Sequence, residues 1–138
     1  MFERILVAFD GSDSAIRAFD SGLDLAEKYG ARLRVIAVAR PPEFAEEVET
    51  EAVIENSRKH YQHVMKPLKE RTAKAGIAVE FELAVGHPAE RIVAEAERWN
   101  ARLIIMGHRG HGLMGRWLVG SVAKQVMHHA PCAVLVTR

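Results

Sequence analysis

Five short runs rich in branched aliphatic residues recur along this chain, and stretches with helical spacing separate them. The runs are ILVAF (Ile5 to Phe9), RLRVIAV (Arg32 to Val38), IAVEFELAV (Ile77 to Val85), RLIIM (Arg102 to Met106) and CAVLVT (Cys132 to Thr137). Strands that alternate with helices need crossover connections, which produce a mainly parallel sheet with helices on both faces. Near-continuous apolar strands such as RLIIM suit burial on both sides. The expected fold is therefore α/β, and 138 residues are about the size of one domain, here expected to span residues 1–138.

The helical stretches carry their own signals. Ser14 to Tyr29 places Ala15, Ala18, Phe19, Gly22, Leu23, Leu25 and Ala26 on one face, the stripe of a helix packed on a sheet, and Gly30 ends it. A third helical segment follows Gly86-His87-Pro88 and runs through Ile92, Val93 and Ala96 to Trp99, with proline suited to the first turn. The last starts near Ser121 and closes with His128 and His129 before Pro131. The long connection from Arg40 to Gly76 is acidic in its first part and basic in its second. Helix propensity is high throughout it, although Pro41 and Pro42 delay a start and Pro67 must kink or interrupt a helix. Such a charge run is either a solvated face or a mobile lid or partner surface.

Composition excludes several function classes. A hydrophobic content of 49% with 27% charged residues is too apolar and too balanced for a disordered chain, and a net charge of +1 argues against a nucleic-acid-coating or membrane-attracted surface. No apolar stretch approaches the roughly 20 residues that span a bilayer, and the start of the chain lacks the pattern of a signal peptide. Cys132 is the only cysteine, so an intrachain disulfide is impossible and a reducing, cytoplasmic setting is expected. Its neighbours PCAVLV mark it as a small buried hydrophobe rather than a nucleophile.

The stretch GHRGHGLMGRWLVGS, Gly107 to Ser121, sets five glycines, two histidines and two arginines directly after LIIM. The Walker pattern is excluded, because no Gly-Lys-Ser/Thr ending occurs. Gly110, Gly112 and Gly115 satisfy G-x-G-x-x-G, but the position some 20 residues on falls in AVLVTR, where no acidic residue stands to meet a ribose. The remaining spacing is Gly107-x2-Gly110-x9-Gly120-Ser121. It resembles the universal stress protein family, whose nucleotide-binding members carry Gly-x2-Gly-x9-Gly-Ser/Thr. The resemblance covers the whole chain, including the first strand leading to Asp10, the long second connection and the closing PCAVLV.

That resemblance implies a Rossmann-like five-stranded parallel sheet in order 3-2-1-4-5 and an adenine nucleotide as cofactor: ATP, with or without Mg²⁺, or else ADP or AMP. It places Asp10 at the ribose, the backbone of Val38 at adenine, and Met106, Gly107, Gly110, Gly120, Ser121 and Val122 around the phosphates. It also implies a homodimer through the last strand, whose apolar edge needs cover.

The residues support a phosphate site on their own terms. Gly107 would let phosphate oxygens approach the backbone, Gly110 permits a turn with converging amides, and Gly120 with Ser121 opens a helix whose free N–H groups attract anions. The alternative is a flexible turn whose helix Ser121 simply caps. Asp10 at the end of strand one could accept ribose hydroxyls or help hold Mg²⁺, or could belong to an Asx turn in Asp10-Gly11-Ser12-Asp13. Arg109 and Arg116, with His108 and His111, add positive charge that either pairs with phosphate or remains solvated. His60 with His63, and His128 with His129, lack the three or four convergent ligands of a zinc site. No catalytic residue is assigned. The expected function is an ATP-binding stress-response module, non-catalytic or a very slow ATPase, acting on an unidentified protein partner. The alternatives are a nucleotide hydrolase or phosphotransferase using Asp10 and His111, and a nucleotide-free dimeric interaction protein.

Overall fold

The computed structural model of the chain describes residues 1–41, 47–109 and 119–138. Strand β1 (Arg4–Ala8) leads to helix α1 (Asp13–Tyr29), β2 (Arg32–Ala39), α2 (Glu47–Ala75) and β3 (Val79–Val85). The chain continues through α3 (Pro88–Trp99), β4 (Leu103–Gly107), α4 (Ser121–His129) and β5 (Ala133–Thr137). The strands form one parallel sheet in order β3-β2-β1-β4-β5, the order anticipated above.

Alternation along the central strand divides the core in two. Ile5 and Val7 point into one layer with Ala15, Ala18 and Phe19 of α1 and Met65 and Leu68 of α2. Leu6 and Ala8 point into the other, with Ile92 and Trp99 of α3 and Ala123 and Val126 of α4. Successive strand residues face opposite sides, so a strand covered on both faces must be apolar at every position, as LIIM and ILVA are. Leu23 and Leu25, assigned above to the buried stripe of α1, are half-buried at its flanks.

Gly22 explains how closely α1 lies on the sheet. A Cβ there would stand 2.6 Å from Val7 Cγ2 and 3.3 Å from Leu33 Cδ1. Helix α1 ends as expected at Gly30, in the left-handed conformation with φ 62°, with the Ala31 N–H bonded back to Ala26 O at 2.9 Å. Asn100 ends α3 by the same device, with Ala101 N–H on Ala96 O at 2.8 Å. The strand expected from Ile77 begins two residues later, because the Ile77 N–H closes α2 on Thr72 O at 3.2 Å.

Pro67 does not interrupt α2, which runs on to Ala75. Met65, Leu68 and Thr72, on either side of it, are buried against the sheet, and that anchorage offsets the missing amide hydrogen bond.

The sheet also carries a buried charge cluster that the apolar appearance of RLRVIAV concealed. Arg34 on β2 has a side chain only 8% exposed and reaches Glu95 of α3 at 2.6 Å and Glu80 of β3 at 2.5 Å. Its guanidinium carbon lies 4.4 Å from the centre of the Trp99 ring, and Arg98 binds Glu95 from the other side at 2.7 Å. Burial pushes the Glu82 carboxyl up, and the neighbouring Glu95 pushes it further. Glu95 itself is lowered: burial works against its charge, but hydrogen bonds from Arg98 and Arg34 overcome that.

The signs give a test. Glu82 holds its proton more tightly folded than unfolded, so its contribution is present in acid and is lost as pH rises through its raised value. Glu80 and Glu95 act oppositely, losing theirs as pH falls through their lowered values. Urea unfolding from acid to neutral pH is expected to show Glu82→Gln at least as stable as wild type at neutral pH. A substantial loss there would mean that Glu82 acts mainly through charge pairing with Arg34.

Candidate functional site

The order of strands reverses its winding between β1 and β4, and a crevice opens there beyond their carboxyl ends. On the β1 side, the Phe9 N–H still bonds Ile36 O at 2.9 Å, and the chain then turns sharply through Asp10, Gly11 (φ 84°) and Ser12. Asp10 Oδ1 accepts the Ser12 N–H at 2.9 Å and the Ser12 hydroxyl at 2.5 Å, an Asx turn. The Ser12 hydroxyl also accepts the Ala15 N–H at 3.2 Å, so it caps α1 while it holds the carboxylate. Tyr61 of α2 senses this corner: burial raises its phenol, and the charge of Asp10 raises it further.

On the β4 side, Gly107 packs under the first turn of α1. A Cβ on it would lie 2.8 Å from Ser14 Cβ and 2.9 Å from the Ser14 carbonyl carbon. Helix α1 therefore requires that this side chain be absent, a packing role that adds to the phosphate approach expected from the sequence. Past Gly107 the chain is clasped: His108 N–H donates to Thr137 O and Gly120 N–H donates to His108 O, both at 2.6 Å. The excursion between these residues thus starts and finishes at one point. Gly110, His111 and Arg116 fall within it and lie outside the described residues.

Helix α4 begins at Ser121 with Gly120 as its N-cap, in extended conformation and, among the described residues, with no side chain capping the helix. The alternative in which Ser121 caps α4 does not hold, since Ser121 is the first helical residue. An uncapped first turn leaves backbone N–H groups and the positive end of the helix dipole available to an anion.

These elements enclose a cavity of about 320 Å³. Asp10, Val38, Met106, Gly107, Arg109, Gly120, Ser121 and Val122, every described residue singled out from the sequence as binding, line it together. Ala8, Phe9, Ala15, Ile36, Pro88, Ile92, His108 and Ala123 complete it. The sequence reading missed Pro88 and Ile92 as wall residues, although proline at the first turn of α3 and an apolar residue one turn on was a usable signal. Among the described residues no group of three His, Cys, Asp or Glu side chains could hold a metal, and Asp10 is the carboxylate at the cavity. Cys132 is half-buried, and burial raises its thiol, which fits an unreactive side chain.

The universal stress protein family model matches residues 1–138. The chain belongs to that family. A universal stress protein from Thermus aquaticus, encoded in a QAH/OAS sulfhydrylase 3′ region, is 37% identical over the full length of both chains. Among solved structures, the universal stress protein UspA from Lactobacillus plantarum superposes with a TM-score of 0.87 at 26% identity, covering 99% of this chain and 98% of that one. Another universal stress protein, solved in complex with cAMP, shares the fold with a TM-score of 0.74 at 23% identity, covering 99% and 97%.

Gly107 offers a direct check on the packing at this site. Gly107→Ala is expected to destabilise the protein by about 1–3 kcal/mol in urea unfolding, as overpacking does. Adding Ser14→Gly should restore part of that loss; if the double variant is no more stable than Gly107→Ala, Ser14 is not what excludes the side chain.

Proposed function

We propose that the cavity binds an adenine nucleotide, ATP with or without Mg²⁺ or else ADP or AMP, and that the protein works as a nucleotide-dependent stress-response module. One observation carries this reading: apolar wall residues and the uncapped first turn of α4 meet in a single cavity. A nucleotide needs both, an apolar slot for the base and amides for the phosphates. In this reading Ile36, Val38, Pro88 and Ile92 take the base and Asp10 faces the ribose. Met106, Gly107, Arg109, Gly110 and Gly120 to Val122 hold the phosphates, with Arg109 adding charge.

The module is non-catalytic or a very slow ATPase. Phosphoryl transfer needs a group that orients the nucleophile and charge stabilisation at the transferred phosphate. Asp10 Oδ1 already accepts two hydrogen bonds from Ser12, which orient it within its own turn rather than towards a nucleophile. A carboxylate held in this turn suits accepting ribose hydroxyls or assisting a phosphate-bound Mg²⁺. We place the protein in the cytoplasm, with an unidentified protein partner reading the bound state.

Nucleotide released by denaturing freshly purified protein, identified by chromatography, tests the reading. Wild type should release an adenine nucleotide and Gly120→Val none, while the variant stays folded because φ −63° and ψ 157° suit valine. If wild type releases nothing and neither ATP-Mg²⁺ nor AMP raises its melting temperature, the proposal fails; binding at 100 times Kd should add about 2.7 kcal/mol.

The same reading includes a homodimer through β5, which among the described residues pairs with β4 alone and stands at the end of the sheet. Val134 and Val136 pack towards the core, whereas Leu135 is 39% exposed. Leu135→Lys is the substitution that spares the fold, and light scattering should find it monomeric. A Leu135→Lys protein of unchanged dimer mass would remove this edge from consideration.

A further inference from the structure

Two hydroxyl groups outside the nucleotide reading tie the cavity wall to the C-terminal strand. Ser14, 5% exposed on the inner face of α1, passes beside Gly107 and donates its hydroxyl to Arg109 O at 2.6 Å. Thr137, in the last position of β5, places its hydroxyl 3.1 Å from Ser14 O and 3.3 Å from Met106 O. The Thr137 carbonyl meanwhile accepts His108 N–H at 2.6 Å, and His108 Nδ1 lies 3.2 Å from the same oxygen. His108 O in turn takes the Gly120 N–H that begins α4. Met106 O, the His108 N–H and O, Arg109 O and the Gly120 N–H belong to residues that line the cavity, and Ser14 and Thr137, which do not line it, bond to Met106 O, the His108 N–H and Arg109 O from outside.

We propose that Ser14 and Thr137 are positioning residues: they hold the Gly107–Arg109 backbone in its ligand-ready form and so link occupancy of the cavity to the order of β5. The inference rests on the nucleotide reading above. Its physical basis is preorganisation. A backbone whose hydrogen bonds are already made loses little freedom when a ligand arrives, and hydrogen bonds in one chain strengthen one another, so losing one weakens its neighbours. Reciprocity follows: whatever β5 contributes to affinity, ligand returns as protection of β5. A valine at position 137 has nearly the same shape and no hydroxyl, so it breaks this link without opening a large cavity.

Calorimetric titration of wild type, Thr137→Val and Thr137→Ser with ATP-Mg²⁺ and with AMP, paired with hydrogen exchange of the peptide covering β5, tests the link. Thr137→Val should weaken binding about fivefold or more, the scale of one or two lost hydrogen bonds, while Thr137→Ser stays within about twofold of wild type. In wild type, saturating nucleotide should slow exchange in β5; in Thr137→Val that slowing should disappear. Equal affinity for valine and wild type, equal loss with serine and valine, or wild-type β5 exchange indifferent to nucleotide would each overturn the inference and leave the nucleotide reading standing. The exchange result on wild type decides even if Thr137→Val does not fold. Wild type that binds neither nucleotide defeats the nucleotide reading, and this inference goes with it.

Discussion

The approach of α1 to strands β1 and β4 sets the geometry of the whole carboxyl end of the sheet. Two glycines permit it, one on each side of the contact. Gly22, in the helix, leaves room for Val7 and Leu33, and Gly107, at the end of β4, leaves room for Ser14. With ordinary side chains at either position the helix would have to stand off by enough to open voids over β1, whose Ile5, Leu6 and Val7 are fully buried. The turn from Asp10 to Ser12 and the exit of β4 are brought together by the same contact. The candidate site is thus a consequence of close helix–sheet packing as much as of its own residues.

Much of this was legible in the sequence because it depends on local pattern. Apolar runs with helical stretches between them gave all five strands, and Gly30, Pro88 and Pro131 marked helix boundaries to within a residue or so. The spacing from Gly107 to Ser121 singled out residues that the fold gathers around one cavity. What stayed hidden depends on contacts between residues far apart in the chain. Ser14 looks like an ordinary helix-start residue until β4 and β5 are placed beside it. The packing role of Gly107 stayed out of sight because Ser14, which a Cβ there would meet, lies in the first turn of α1, far away in the chain. Arg34 carries no local signal of its burial, because the carboxylates that permit it come from the third strand and α3. Pro67 was expected to kink or interrupt its helix; it does not interrupt it, because packing on the sheet carries the helix through.

The charge cluster and the cavity share helix α3. Its late turns are held through Glu95, Arg98 and Trp99, while Pro88 and Ile92 in its early turns form part of the cavity wall. A helix fixed at one end by several charged hydrogen bonds has few rigid-body alternatives at the other. Buried ion pairs add little net stability in general, because desolvation cancels much of the attraction. Their value here is directional: Arg34 on β2 bonds Glu80 of β3 and Glu95 of α3 together, and so ties the position of α3 to two strands. An apolar substitute would hold the helix down without fixing where it lies.

The clasp between His108 and Gly120 has an evolutionary side. His108 donates to Thr137 and accepts from Gly120 through main-chain groups, so β4, β5 and the start of α4 are joined without relying on any side chain there. A main-chain bond survives a change of side chain that leaves the backbone path intact. The chemistry displayed at positions 108 and 120 can therefore drift over generations while the join between sheet and helix persists.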